Sequence, residues 1–183
     1  MDTIRPIFDS LPFYNEEVRN MLYAGIGSRE VPDDILSVMT RIASRLEELG
    51  YTLRSGGAKG SDTAFERGVK DSKNKEIFYA NDATEKSIEI AKEIHPNPKA
   101  LTEYGLKLMG RNTFQIFGKD LDAPVDFVIC YTKDGKEGYG EERPCGGTGQ
   151  AVEIASRKGI PVINLGNDMA RSLLRIKELI EKK

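Results

Sequence analysis

The chain has 183 residues, 39% hydrophobic and 31% charged, which suffices for one core and a single domain over 1–183. Its 27 Lys and Arg balance 29 Asp and Glu, for a formal net charge of −2, and the two signs alternate along the chain. That pattern offers no basic stripe to grip nucleic acid by its phosphates, and no run approaches the roughly 18 apolar residues of a membrane span.

In chain order, residues 1–20 read as an N-terminal extension whose opening, MDTIRPIFDS, has no apolar core for a signal peptide. MLYAG, from Met21, is a buried strand. A helix follows from Asp33, with Ile35, Val38, Met39, Ile42 and Leu46 at helical spacing and Gly50 as its stop. YTLRSGG is a strand and turn, and SDTAFERGVKD a helix capped by Ser61 or Asp62. KEIFYA is a third strand. Residues 82–121 read as helix, broken by the prolines of HPNPKA. VDFVICYT is a fourth strand, followed by the polar, glycine-rich loop KDGKEGYGEERPCGG. GQAVEIASRKG is a helix, IPVINLG a fifth strand and DMARSLLRIKELIEKK a last amphipathic helix. Strands alternating with helices predict an α/β fold: a doubly wound, mostly parallel sheet of about five strands with helices on both faces. In such sheets ligands bind beyond the carboxyl ends of the strands, where strand order reverses.

The glycine clusters fall at those ends. AGIGSRE follows the first strand, and Gly27, Ser28 and Arg29 suit an anion. As a dinucleotide fingerprint it fails, because Glu30 stands where the third glycine belongs and Arg54 and Ser55 end the second strand without an acidic residue. An ordinary tight turn explains it equally. SGGAKGSD follows the second strand. There Ser55, Gly56 and Gly57 lead into a helix start, with Lys59 either solvated or functional and Asp62 either ligand-binding or a cap. CGGTGQAVE follows the fourth strand, and the amides of Gly146, Gly147, Thr148 and Gly149 can converge on a phosphate. Glu153 is one turn beyond Gly149 and faces either that ligand or Arg157, also four residues on. In LMGRNTFQIFG, Arg111, Asn112 and Gln115 share a helix face as a candidate clamp, while Met109 and the aromatics read as core. His95 sits in a proline loop. Cys130 and Cys145 lie outside any metal-ligand spacing and fit a reducing cytoplasm, and no His neighbours Cys145 to activate it.

YAGIGSRE together with GYTLRSGGAKGSDTAFERG resembles the nucleotide-binding half of the DNA-processing protein A family. GGTGQAVE resembles the P-G-G-x-G-T-x-x-E motif of the Lonely Guy phosphoribohydrolases. Both belong to the Rossmann-like SLOG superfamily, whose short single-domain forms are common in tailed phages. The resemblance implies that the chain binds a nucleotide and hydrolyses the N-glycosidic bond of a nucleoside 5′-monophosphate without a cofactor. Glu153 matches the motif glutamate, and Arg111 fits the place of the catalytic arginine. The motif threonine is Gln150 here, its proline Cys145, and the residue before the glutamate Val152. On this reading the amides of Gly146 to Gly149 hold the phosphate and Gln150 belongs to the ligand site, while Ser28, Arg29 and the loop Ser55 to Gly60 form the other wall. Tyr131 and Tyr139 stack on the base. A non-catalytic sensor of a nucleotide-derived signal is the alternative, and single-stranded DNA binding the third. The resemblance also implies a homodimer or higher homo-oligomer.

Overall fold

A computed structural model describes residues 21–182. The N-terminal extension and its lack of a leader pattern lie outside the described residues. In chain order the elements are β1 (Met21–Gly27), α1 (Asp33–Glu48), β2 (Tyr51–Ser55), α2 (Ser61–Gly68), β3 (Lys75–Ile77), α3 (Glu85–Ile94), α4 (Glu103–Phe117), β4 (Phe127–Tyr131), α5 (Gly147–Arg157), β5 (Val162–Asn164) and α6 (Met169–Glu181).

The five strands form one parallel sheet in the order β3-β2-β1-β4-β5. Side chains alternate across it, as the pleat requires. Tyr23, Leu53, Phe127, Ile129 and Ile163 face α1, α2 and α6, packing on Met39, Ile42, Phe65, Leu173 and Ile176. Leu22, Ala24, Ile26, Val128, Cys130 and Val162 face α4 and α5, packing on Ile116, Ala151, Val152 and Ala155. This is the doubly wound α/β fold expected from the strand–helix alternation. No helix among the described residues is long and apolar enough to cross a membrane.

Several boundaries move, each for a local reason. β1 runs on to Gly27, whose neighbour across the sheet is Tyr131. β3 stops at Ile77, because the chain turns through a short 3-10 segment at Ala80–Asp82. There the Tyr79 amide donates to Asp82 Oδ2 at 2.6 Å and the Asp82 amide returns a bond to the Tyr79 carbonyl. The helical stretch breaks as the prolines predict: α3 ends before His95, and α4 restarts with Thr102 Oγ1 accepting from the Gly105 amide. Neither Ser61 nor Asp62 caps α2. The cap position is Gly60, which has a positive φ of 91° and makes no side-chain cap bond. Its backbone passes so close to Ser28 and Arg29 that a Cβ would collide with their backbones. α5 begins at Gly147, two residues earlier than its apolar pattern suggests, with Gly146 as the cap residue at φ 78°.

Candidate functional site

Strand order reverses at β1: the chain builds outward through β2 and β3, then returns to place β4 on the other side. The loops leaving β1 and β4 therefore part just beyond the sheet, opening a cleft of about 600 Å³. Its walls carry Gly27 at the end of β1 with Ser28 and Arg29 beyond it, Ala58 and Asp62 after β2, Met109, Arg111, Asn112 and Gln115 on α4, and Gly146, Gly147 and Thr148 at the start of α5. All three glycine clusters that sequence singled out thus meet. A smaller depression of about 240 Å³ adjoins it, lined by Gly56, Gly57, Tyr79, Asn81 and Tyr104. Arg29, Ala58, Leu108 and Arg111 belong to both.

One wall is acidic and buried. Asp62 is 4% exposed and accepts a hydrogen bond from the Ala58 amide at 3.2 Å. Burial raises its carboxyl to about pH 6, against the opposing pull of Arg111 and of the Ala58, Gly56 and Gly27 amides. Arg111 Nη1 lies 3.9 Å from Asp62 and donates to the Gly56 carbonyl at 2.7 Å. Its Nε is buried with no hydrogen-bond partner among the described residues. Burial lowers the guanidinium's own pKa, with Asp62 acting the other way. A buried carboxylate and cation with perturbed protonation, side by side in a cleft, are typical of sites that handle charge.

The facing wall is bare backbone. In the first turn of α5 the Gly147 and Thr148 amides have no acceptor within their helix, and the helix dipole adds positive potential. Gly146 needs glycine for its positive φ. Gly147 does not: its φ lies outside the left-handed region, and an added Cβ would meet nothing nearer than Met109 Cε at 3.8 Å. Neither conformation nor packing demands a glycine there, so the open space in front of it suits a ligand. Asn112 fixes this turn, donating to the Gly147 carbonyl at 3.2 Å and to Gln150 Oε1 at 3.3 Å.

Other predicted site residues lie elsewhere. Glu153 is 4% exposed and off the cleft. Its Oε2 accepts from Arg143 Nη1 at 3.0 Å, and its Oε1 accepts from Arg157 Nε at 3.0 Å and Nη2 at 2.6 Å. The reason is helical phase. Glu153 does share a side with Gly149, but that side faces the preceding loop, where a Cβ on Gly149 would strike the Pro144 carbonyl. Gly147, Thr148 and Ala151 form the cleft side. Gln150 is fully buried and donates to the Ala91 carbonyl at 3.1 Å, docking α5 onto α3. Ser55 is buried and donates to the Gly25 carbonyl at 2.6 Å. Lys59 is exposed and on neither wall. Tyr131 packs against the core, and Tyr139 is exposed on the loop away from the cleft. His95 accepts from the Asn97 amide within its own loop.

Sequence reasoning missed Leu108 and Met109 as wall residues, and Tyr79 and Tyr104 altogether. Tyr104, Leu108 and Arg111 stand at i, i+4 and i+7 on α4, a stripe visible in the sequence once Arg111 is placed. The long loop after β4 is pinned rather than loose. Asp134 accepts from Thr132 Oγ1 and the Cys145 amide, and Glu137 accepts from Arg175 and the Asn164 amide. No group of three or more His, Cys, Asp and Glu among the described residues has the arrangement to hold a metal ion.

Comparison with known proteins yields no match among protein-family models, curated proteins or solved structures.

Proposed function

We propose that this cleft binds a nucleoside 5′-monophosphate or a close relative and hydrolyses its N-glycosidic bond. The observation that carries the reading is the buried Asp62–Arg111 pair standing in one cleft with the bare first turn of α5. The phosphate sits on the Gly147 and Thr148 amides, as anions do at helix N-termini. That anchors the sugar beside Asp62 and Arg111. As the bond from the anomeric carbon to the base nitrogen breaks, its electron pair leaves with the base, which takes up a proton. Positive charge grows on the sugar, and the Asp62 carboxylate stabilises it. Water adds its oxygen to the anomeric carbon and gives up a proton to the same carboxylate, which releases it to solvent, the source of the proton that the departing base takes up. Arg111, which lines the cleft beside Asp62, grips the sugar or phosphate.

The reading keeps the reaction class and Arg111 implied by the likeness to the Lonely Guy motif. It moves the catalytic carboxylate from Glu153 to Asp62 and leaves Glu153 as a positioning residue for the glycine turn, through Arg143. It calls on no cofactor. The placement of Glu153 also favours a second reading, in which the pocket holds a nucleotide-derived signal without cleaving it. One experiment separates them: incubation of wild type and Asp62→Asn with a panel of nucleoside 5′-monophosphates, with free base measured. Base release by wild type and its loss in Asp62→Asn support hydrolysis. Tight binding with every glycosidic bond intact leaves the sensor.

A further inference from the structure

The cleft reading accounts for a phosphate and a sugar, but not for the adjoining depression. At about 240 Å³ it is smaller than the roughly 300–1,000 Å³ typical of a whole ligand pocket. Its chemistry differs from that of the cleft. Tyr79 and Tyr104 line it and are 56% and 61% exposed, the state of aromatic rings that have a free face. Tyr79 is held in place: its ring lies against the bare backbone of Gly57, where an added Cβ would sit 2.8 Å from Tyr79 Cε1, and its amide is fastened to Asp82. Tyr104 stands in the first turn of α4, capped by Thr102, on the stripe that continues through Leu108 to Arg111. Asn81 also lines the wall. Arg29, Ala58, Leu108 and Arg111 are shared with the cleft, so the two spaces meet along Arg111, the partner of Asp62.

We propose that this depression is the base subsite: the nucleobase stacks on Tyr79 and Tyr104, with Asn81 within its wall to read the base edge. The inference rests on the nucleotide reading above and completes its order. Phosphate at Gly147, sugar at Asp62 and Arg111, and base at Tyr79 and Tyr104 follow one another, and the bond to be cleaved falls between the last two. Tyrosine faces hold any base by stacking, and an amide edge carries both a donor and an acceptor for discrimination among bases. The exposed rim also leaves the released base a way out.

The test compares ribose 5-phosphate with the four common nucleoside 5′-monophosphates by calorimetry. The sugar phosphate reports the phosphate and sugar contacts alone. At least one nucleotide is expected to bind about tenfold or more tightly than ribose 5-phosphate, the scale of one stacked base. Tyr79→Ala with Tyr104→Ala erases that advantage and leaves ribose 5-phosphate affinity unchanged, whereas Tyr79→Phe with Tyr104→Phe retains it. Because Tyr79 leans on Gly57, Tyr104→Ala alone serves as the variant that cannot disturb that turn, and it must remove part of the advantage. If nucleotides bind and Gly147→Val abolishes their binding, yet the tyrosine variants change nothing, the base subsite is wrong and the nucleotide reading stands. If neither ribose 5-phosphate nor any nucleotide binds, both fall.

Discussion

Asp62 is a residue whose environment works against its charge. Folding takes its carboxyl from an ordinary value of 3.8 to about 6. Between those values the folded protein keeps a proton that the unfolded chain has released, so stability falls as pH rises through that window. Asp62→Asn removes the penalty and still accepts the Ala58 amide. It is expected to raise stability near neutral pH by an amount of order 3 kcal/mol, two pH units at about 1.4 kcal/mol each, with little change at pH 4. Denaturant titrations of both proteins at pH 4 and pH 7.5 check this. The same substitution should lower base release by about two orders of magnitude or more. A gain in stability with a loss in turnover is the mark of a functional group, since a merely structural carboxylate would lose stability. In wild type the rate is expected to rise through about pH 6 as the carboxylate forms. Arg111 is the cation that holds that value down. Arg111→Ala should therefore shift the rising limb to higher pH, which a rate profile reads independently of any loss in affinity.

At the scale of elements, α5 divides its work between two sides. The cleft side presents bare amides at Gly147 and Thr148, and the far side presents Glu153 to Arg143 and Arg157. Gly147→Val puts a side chain into the anion space at a position where a Cβ would lie 3.8 Å from Met109 Cε. It is expected to abolish nucleotide binding, with circular dichroism and denaturation unchanged. Glu153→Gln tests the other side. The resemblance to the Lonely Guy motif implies a fall in turnover of about two orders of magnitude. The geometry implies instead a loss of stability of about 1–3 kcal/mol, as two arginines lose their charged partner, with turnover within several-fold. Single-turnover rates beside melting curves decide between them. The contrast also explains what the sequence made legible. Apolar runs and glycine stops gave every strand and helix, because those signals are local. They also gave the meeting of the three glycine clusters, because parallel sheets bring strand ends together. What they left open was phase and ring placement. Gly149 and Glu153 share a side of α5, yet only the path of the loop through Pro144 decides that this side turns away from the cleft. Tyr79 sits where the third strand stops early, a boundary fixed by the Asp82 turn rather than by any run of apolar residues.

Across the whole molecule, the site joins parts far apart in the chain. Gly27 to Arg29 and Asp62 come from the segment that builds β1 and β2, Gly146 to Thr148 from the segment after β4, and Arg111 from the helix that links those halves. The sheet fixes the strands, and bonds such as Ser28 to Tyr131 and Asn112 to Gly147 join the elements around its carboxyl edge. A ligand seated there would add contacts across the reversal point. Its stabilisation is set by its binding to the folded form, about 2.7 kcal/mol at a hundred times its Kd, or a rise in melting temperature of roughly 5–10 °C for a chain of this length. The added order should be local. Hydrogen exchange is expected to slow at the amides of residues 27–29, 56–58 and 146–148, and to stay unchanged in α6, which packs on the opposite face of the sheet from α4 and α5. Gly147→Val should cancel both the melting shift and the protection at 56–58, although that loop is untouched by the substitution. Protection at 56–58 that survives Gly147→Val would mean that the α2 side binds its ligand alone, and the cleft would then be two sites rather than one.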